Sequence, residues 1–570
     1  LFGSITASAA GGRKLAPDLD RFPKHRDGTV DVIIRFNQKP QARHFQAIGA
    51  RGGRMRSQLQ HISGAAYRIP ATMLAWLEKH PDVAYVSPDR PNKVAFDDAI
   101  PAVMGDLARQ QFALDGTGVG IAVIDSGVYE HDDLQSADGT YSRIVYSESF
   151  VPTDPSTGDP YGHGTHVAGI IAGNGRDSQS GYSQHYMGLA SNANIINLRV
   201  LDANGSGADS QVIAAIGRAL ELKYDYNIRV INLSLGRNIF ESYKDDPLCQ
   251  AVEAAWQAGI VVVVAAGNNG RANSIGNTVG NSGYGTIQVP GNDPSVITVG
   301  ATKTNNTSMR LDDMVASYSS KGPSLIDHVV KPDLVAPGNR IVSLESPGSY
   351  LATAYSSLDV PSNSVCVLGQ CTPGPGGKYL RLSGTSMATP VVAAAAALMI
   401  QHDPLLTPDT VKARMMKTSW KGYPATSWAH DLHGFSYFAQ YDIFTIGAGY
   451  LDVDAALHNV DVADGSAASP TARFDPQTHT ARLTNTSVSG GSVVWGDSVV
   501  WSDSVVWGDD TLDSSADILG NSVVWGDTTL AANSVVWSDS VTWGDGIIGD
   551  GSGGPDGTSV ALAEGEDGED

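Results

Sequence analysis

The chain has 570 residues, and its 60 acidic against 38 basic side chains give a formal charge of −22. That balance argues against nucleic acid or an acidic membrane surface as a partner. The length suggests roughly two to four folded units, and a hydrophobic content of 42% is enough to build a large core. No run of about eighteen apolar residues occurs, so no membrane span is expected.

The numbered sequence opens on Leu1, and Ala7-Ser8-Ala9 has the small-x-small form of a signal-peptide cleavage site. Residues 1–27 therefore read as the remnant of a leader, with export expected. From residue 28 the pattern changes. Residues 31–36, 65–69 and 83–86 read as strands, and 42–55 and 71–80 as helices, together a small α+β domain over 28–95. The prolines and charges of 88–100 read as a linker.

From 96 to 460, apolar runs at 119–124, 195–200, 230–233, 260–265 and 296–299 alternate with helical stretches. This alternation predicts an α/β unit with a parallel sheet and helices on both faces. Polar residues stand just after the runs: Asp125, Arg199, Ser234 and Asn268. In open α/β sheets ligands bind at the carboxyl ends of strands, which places a site there. The run 391–400 is apolar all round and predicts a buried helix. Ser386 stands at its start, where a serine is also a favoured N-cap. Pro390 is expected within the first turn, where proline is tolerated.

Three stretches carry a resemblance: Gly120-Ile121-Ala122-Val123-Ile124-Asp125-Ser126-Gly127, Gly162-His163-Gly164-Thr165-His166-Val167-Ala168-Gly169, and Gly384-Thr385-Ser386-Met387-Ala388-Thr389-Pro390. Their order Asp, His, Ser differs from that of chymotrypsin-like and α/β-hydrolase enzymes, and the chain resembles the subtilisin-type serine proteases over about 30–460. The resemblance implies that Ser386 is the nucleophile, His163 its base and Asp125 the residue that orients the base. It makes Asn268, after the strand 260–265, the oxyanion donor. Ser234-Leu235-Gly236 and Gly205-Ser206-Gly207 match the segments that hold an extended peptide substrate as added strands. Ala265-Ala266-Gly267 would line the first specificity pocket, with Gln288 near its floor. The 28–95 domain resembles the inhibitory propeptide of that family, an intramolecular inhibitor removed by self-cleavage. A secreted or cell-surface bacterial protease made as a zymogen is the expectation.

No cofactor is required for such chemistry. Asp133 matches a family position that often supplies a calcium ligand, but the loop 174–180 departs from the pattern, so a structural calcium is compatible with Asp133 while no full site follows. His163 and His166 lie three apart, yet no third metal ligand or HExxH pattern accompanies them, and His166 reads as structural. Cys249, after Asp246-Pro247, reads as a buried thiol near a helix start. Cys366 and Cys371 suit a small loop disulfide in an oxidising compartment.

Residues 461–491 are rich in Ser, Thr, Ala and Gly and read as a linker. Residues 492–545 divide into nine six-residue blocks, six of them of the form Ser-Val-Val/Thr-Trp-Gly/Ser-Asp. Trp507, Trp525 and Trp543 also recur every 18 residues, a spacing that would suit a three-sided β-solenoid. The acidic low-complexity composition instead favours a flexible tail, with 546–570 an acidic disordered end. A competing function is a binding protein on a protease scaffold with the tail as its working part. The intact set Asp125, His163, Asn268 and Ser386 speaks against it.

Overall fold

The computed structural model describes residues 28–88 and 99–484, apart from the short stretches 60–62, 183, 272–282, 364, 368–369, 373–375, 425, 431–435, 464 and 476–479. It also describes 14–16, 19, and the strand pieces 505–507, 523–525, 529–531 and 558–559. The chain divides into two compact units, Leu1–Val94 and Ala95–Asp570.

In the first unit, alternate residues of Thr29–Phe36 point inward, and Val30, Val32, Ile34 and Phe36 are buried. An antiparallel sheet forms in the order Arg54–Leu59, Gly64–Pro70, Thr29–Phe36, Val83–Pro88. The helix expected over 42–55 is only Ala42–Gly49. Gly52 adopts a φ of 87°, accessible to glycine at little cost, and turns the chain back. Arg54–Leu59 then pairs as an almost wholly exposed strand.

The second unit is built on one sheet whose strands run Met314–Val315, Ile297–Lys303, Val261–Ala265, Ile228–Leu233, Gly120–Asp125, Asn194–Arg199, Ile144–Ser149, with Leu334–Pro337 also paired to Ile297–Lys303. All the pairings are parallel except that of the short edge strand Met314–Val315. The five apolar runs of the sequence supply five of these strands. Gly120–Asp125 and Val261–Ala265 are buried on both faces, as a sheet covered by helices requires. Helices His163–Ala172 and Thr385–His402 pack on each other, and helices Asp209–Glu221 and Pro247–Gln257 do the same; both pairs contact the sheet. Strand order reverses at Gly120–Asp125: the chain goes first to the edge strand Ile144–Ser149, returns to Asn194–Arg199 beside Gly120–Asp125, then crosses to Ile228–Leu233 on the other side. Such a switch point opens a crevice at the carboxyl ends of the strands, where Asp125 and Ser234 stand.

The linker expected over 461–491 does not begin at 461. Ala467 and Ala472 belong to the main core. The Ser469 hydroxyl donates to Asp333 and also receives Lys412 Nζ at 2.9 Å. Thr471–Asp475 and Thr480–Thr484 pair as an antiparallel hairpin. Composition alone reads such small polar residues as a linker because their partners lie far away in sequence. In the tail, Val505–Trp507 and Val523–Trp525 pair parallel with Trp507 opposite Trp525, at the 18-residue interval of the repeats. Most of the remaining repeat residues, and most of 546–570, lie outside the described residues.

Candidate active site

Asp125 ends its strand at a tight turn. Gly127 has a φ of 110°, and a Cβ there would strike the carbonyl of Gly158. A Cβ on Gly164 would strike the carbonyl of Gly127. Both absences let the Asp125 turn lie against the start of helix His163–Ala172. His163 Nδ1 donates to Asp125 Oδ1 at 2.8 Å, both side chains being fully buried. A carboxylate at Nδ1 fixes the tautomer that leaves the Nε2 lone pair available, and Nε2 has no hydrogen-bond partner.

The helix start is held by a residue that the sequence reading missed. Asp159 accepts the backbone N–H groups of Gly162 (2.7 Å) and Thr165 (2.8 Å) and the hydroxyl of Ser126 (2.8 Å). Ser126 Oγ in turn accepts the N–H of Gly164 at 3.0 Å. One carboxylate thereby ties the Asp125 turn to the His163 helix. Burial pushes the Asp159 pKa up against these donors. Its position four residues before His163 was the available signal.

Ser386 is the second residue of helix Thr385–His402, which is buried on every side through Ile400. Pro390 is not in the first turn as expected but six residues in. Lacking an N–H, it cannot bond the carbonyl of Ser386 four residues earlier. Ser234 fills the gap, its hydroxyl donating to that carbonyl at 2.9 Å. The Ser386 hydroxyl donates in return to Ser234 O at 3.2 Å, rather than to His163. Ser234 is thus a support under Ser386 as well as a member of the expected substrate edge.

Asn268 follows strand Val261–Ala265 by three residues. Its Oδ1 accepts the Thr385 N–H at 2.9 Å and the Thr385 hydroxyl at 3.1 Å. Because a backbone N–H can only donate, the amide orientation is determined: oxygen toward Thr385, Nδ2 on the opposite arm. The Ser386 N–H lies in the first turn of the same helix, where donors are unsatisfied and the dipole favours an anion.

Of the expected substrate segments, Gly205-Ser206-Gly207 forms an edge strand at 206–207, and Ser234-Leu235-Gly236 follows the central strand Ile228–Leu233. The edge at 206–207 receives a second strand from the tail, Thr558–Ser559, antiparallel, with Thr558 opposite Gly207. Ala265, Ala266 and Gly267 end the neighbouring strand. Gln288 donates its N–H to Ala266 O at 3.1 Å, and its side chain occupies the space where Cβ atoms of Gly236 and Gly267 would go. Gln288 thus sits between the two segments, where the floor of a pocket was expected.

The other histidines divide differently. His166 Nε2 faces Ile341 O (3.2 Å) and Leu380 O (3.0 Å), and burial pushes its pKa down to about 3. His131, Asp133 and Asp177 bring one ligand-type atom each within 4.8 Å of one another, yet they do not suit calcium. Asp133 Oδ1 accepts the Asp177 N–H (2.7 Å) and Oδ2 the Tyr379 hydroxyl (2.6 Å). Lys378 Nζ lies 2.9 Å from Asp177 Oδ2. Calcium takes six to eight oxygens, whereas here a nitrogen, an ammonium and two protein donors crowd the same carboxylates. Cys249 is buried and free, and Asp246 caps its helix. Burial raises the thiol pKa, so it is inert. Cys366 and Cys371 stand directly opposite in the hairpin Val365–Val367 and Gln370–Thr372.

The model of the subtilase family matches residues 116–466. The serine protease AprX of Bacillus subtilis is 35% identical over 395 residues, 67% of this chain and 81% of that protein. Subtilisin E of the same organism is 32% identical over 398 residues, 68% of this chain and 84% of its own. Subtilisin Savinase of Lederbergia lenta is 35% identical over 291 residues, covering 51% and 79%.

Proposed function

The chain belongs to the subtilase family and is a serine endopeptidase, and we propose that it cleaves proteins through Ser386, His163 and Asp125 by way of an acyl-enzyme. The observation that carries this reading is His163, with Nδ1 committed to Asp125 and Nε2 uncommitted. Ser386 Oγ attacks the scissile carbonyl carbon while His163 Nε2 accepts its proton. Asp125 stays ionised and stabilises the imidazolium. Asn268 Nδ2 and the Ser386 N–H donate to the oxyanion. Collapse breaks the C–N bond, the imidazolium protonates the departing amine, and water repeats the sequence to free the acid. His163 carries every proton transfer and the oxyanion donors carry the developing charge, so no cofactor is required.

Substrate binds as an extended strand along 205–207 and 234–236. The acceptance of Thr558–Ser559 as an antiparallel strand by Ser206-Gly207 supports this, since it uses backbone groups alone. The 28–95 domain serves as an inhibitory propeptide; Leu15, Ala16 and Leu19, from the stretch expected to be a leader remnant, are buried in the same core. The enzyme cuts itself free between about 89 and 100, a stretch in which 89–98 lie outside the described residues. The product is exported. Among the described residues no helix is long and apolar enough to cross a membrane.

Purified Ser386→Ala protein tests the reading: it neither hydrolyses casein nor makes the maturation cut. Undiminished casein hydrolysis overturns the assignment. Maturation of the inactive protein at the same bond assigns that cut to another protease.

A further inference from the structure

The corner of the second unit around Asp133 joins three segments distant in sequence: the turn His131–Leu134, the loop 174–178, and the stretch 376–378 that enters strand Tyr379–Leu382. Three carboxylates gather there. Asp132 Oδ2 and Asp177 Oδ2 each lie 2.9 Å from Lys378 Nζ. Each Asp133 oxygen accepts one hydrogen bond, from the Asp177 N–H and the Tyr379 hydroxyl. His131 is also committed at both nitrogens: Nδ1 accepts the Asp133 N–H at 3.1 Å, and Nε2 donates to Lys378 O at 3.1 Å. The carbonyl of Lys378 further accepts the Glu345 N–H at 2.9 Å. His131, Asp133 and Asp177 do bring ligand-type atoms within 4.8 Å of one another, but a positive charge already stands 2.9 Å from two of the three acids.

We propose that the Lys378 ammonium stands where a divalent cation would otherwise be needed, cross-linking Asp132 and Asp177 so that this corner holds without metal. The staple reaches the reaction through the chain itself. Strand Tyr379–Leu382 runs directly into Ser383, Gly384 and the helix that carries Ser386. Lys378 is therefore a structural tie at the root of the segment that leads to the nucleophile, and touches no reacting atom. A methylene stem capped by a point charge suits this task, because three N–H donors can serve two acids at once.

The test uses the full chain carrying Ser386→Ala, so that self-digestion does not intrude, melted in excess EDTA and in millimolar calcium chloride. With Lys378 present, the two midpoints coincide. Lys378→Met lowers the EDTA midpoint by about 2 °C, the shift that a loss of roughly 1 kcal/mol causes in a large domain. It also makes the midpoint rise with calcium, since the acids are left without a counter-charge. Lys378→Arg behaves as the parent in both conditions. A parent protein that loses stability in EDTA and regains it with calcium overturns the proposal. So does a Lys378→Met protein that melts like the parent and ignores calcium. Should Lys378→Met fail to fold, the EDTA comparison on the parent decides alone.

Discussion

His163 and His131 are both buried, both lie beside aspartates, and both stand just beyond strand Gly120–Asp125 in the fold, yet they are wired in opposite senses. His163 gives its Nδ1 proton to Asp125 and leaves Nε2 without a partner. His131 takes a backbone N–H on Nδ1 and gives its Nε2 proton to a carbonyl, its nearest carboxylate contact being Asp177 at 4.0 Å. Burial lowers the pKa of His131, outweighing the acids nearby. Burial and a neighbouring acid therefore do not make a general base. His163 combines a carboxylate on Nδ1 with an uncommitted Nε2, and that combination is what a general base needs.

The largest way to break this contrast is to remove each ring. His163→Ala is expected to lower kcat about 10⁶-fold, the scale found when the equivalent serine or histidine is removed from subtilisin. His131→Gln keeps kcat close to the parent value while lowering the melting midpoint. Comparable losses of kcat in both folded variants, measured on a chromogenic peptide, would erase the distinction. Next in size is Asn268→Ala, with an expected loss of about 10²–10³ in kcat at nearly constant KM, again on the subtilisin scale. A loss confined to KM would place Asn268 in substrate binding instead.

A smaller effect concerns stability. Burial, reinforced by the adjacent Asp359, raises the Glu345 pKa to about 7. A carboxyl whose folded pKa is raised adds stability that is present below its ordinary value near 4.5 and lost as pH climbs through about 7. Glu345→Gln should therefore flatten the decline of the melting midpoint between those pH values. An unchanged slope contradicts the linkage. The smallest effect is on the tail: deleting 557–570 should lower KM without altering kcat, since Thr558–Ser559 occupies an edge assigned to substrate. A KM that stays constant in a Michaelis series denies that competition.

How much was legible beforehand follows the range of the interactions. The central strands announced themselves as β-branched apolar runs, and Asp125, His163, Ser386 and Asn268 stood at their ends or at helix starts. Ile144–Ser149 went unread because it is a half-exposed edge strand, and Arg54–Leu59 because its polar side chains carry no alternation. Lys378 and the buried pair Lys412 and Asp333 were invisible for another reason. Their partners are supplied by distant segments: Lys378 Nζ lies 2.9 Å from Asp132 and from Asp177, and Lys412 Nζ bonds Val296 O at 3.0 Å and lies 3.2 Å from Asp333. Pro390 was misplaced within its helix because the hydroxyl that compensates it belongs to Ser234, 156 residues earlier in the chain.

The central claim is that His163, oriented by Asp125, makes one serine of this chain nucleophilic. The most direct measurement is peptide mapping by mass spectrometry after brief exposure of the folded protein to a fluorophosphonate. The account predicts one adduct, on Ser386, and none in folded His163→Ala protein. An unlabelled Ser386 in active protein, or equal labelling without His163, would contradict it.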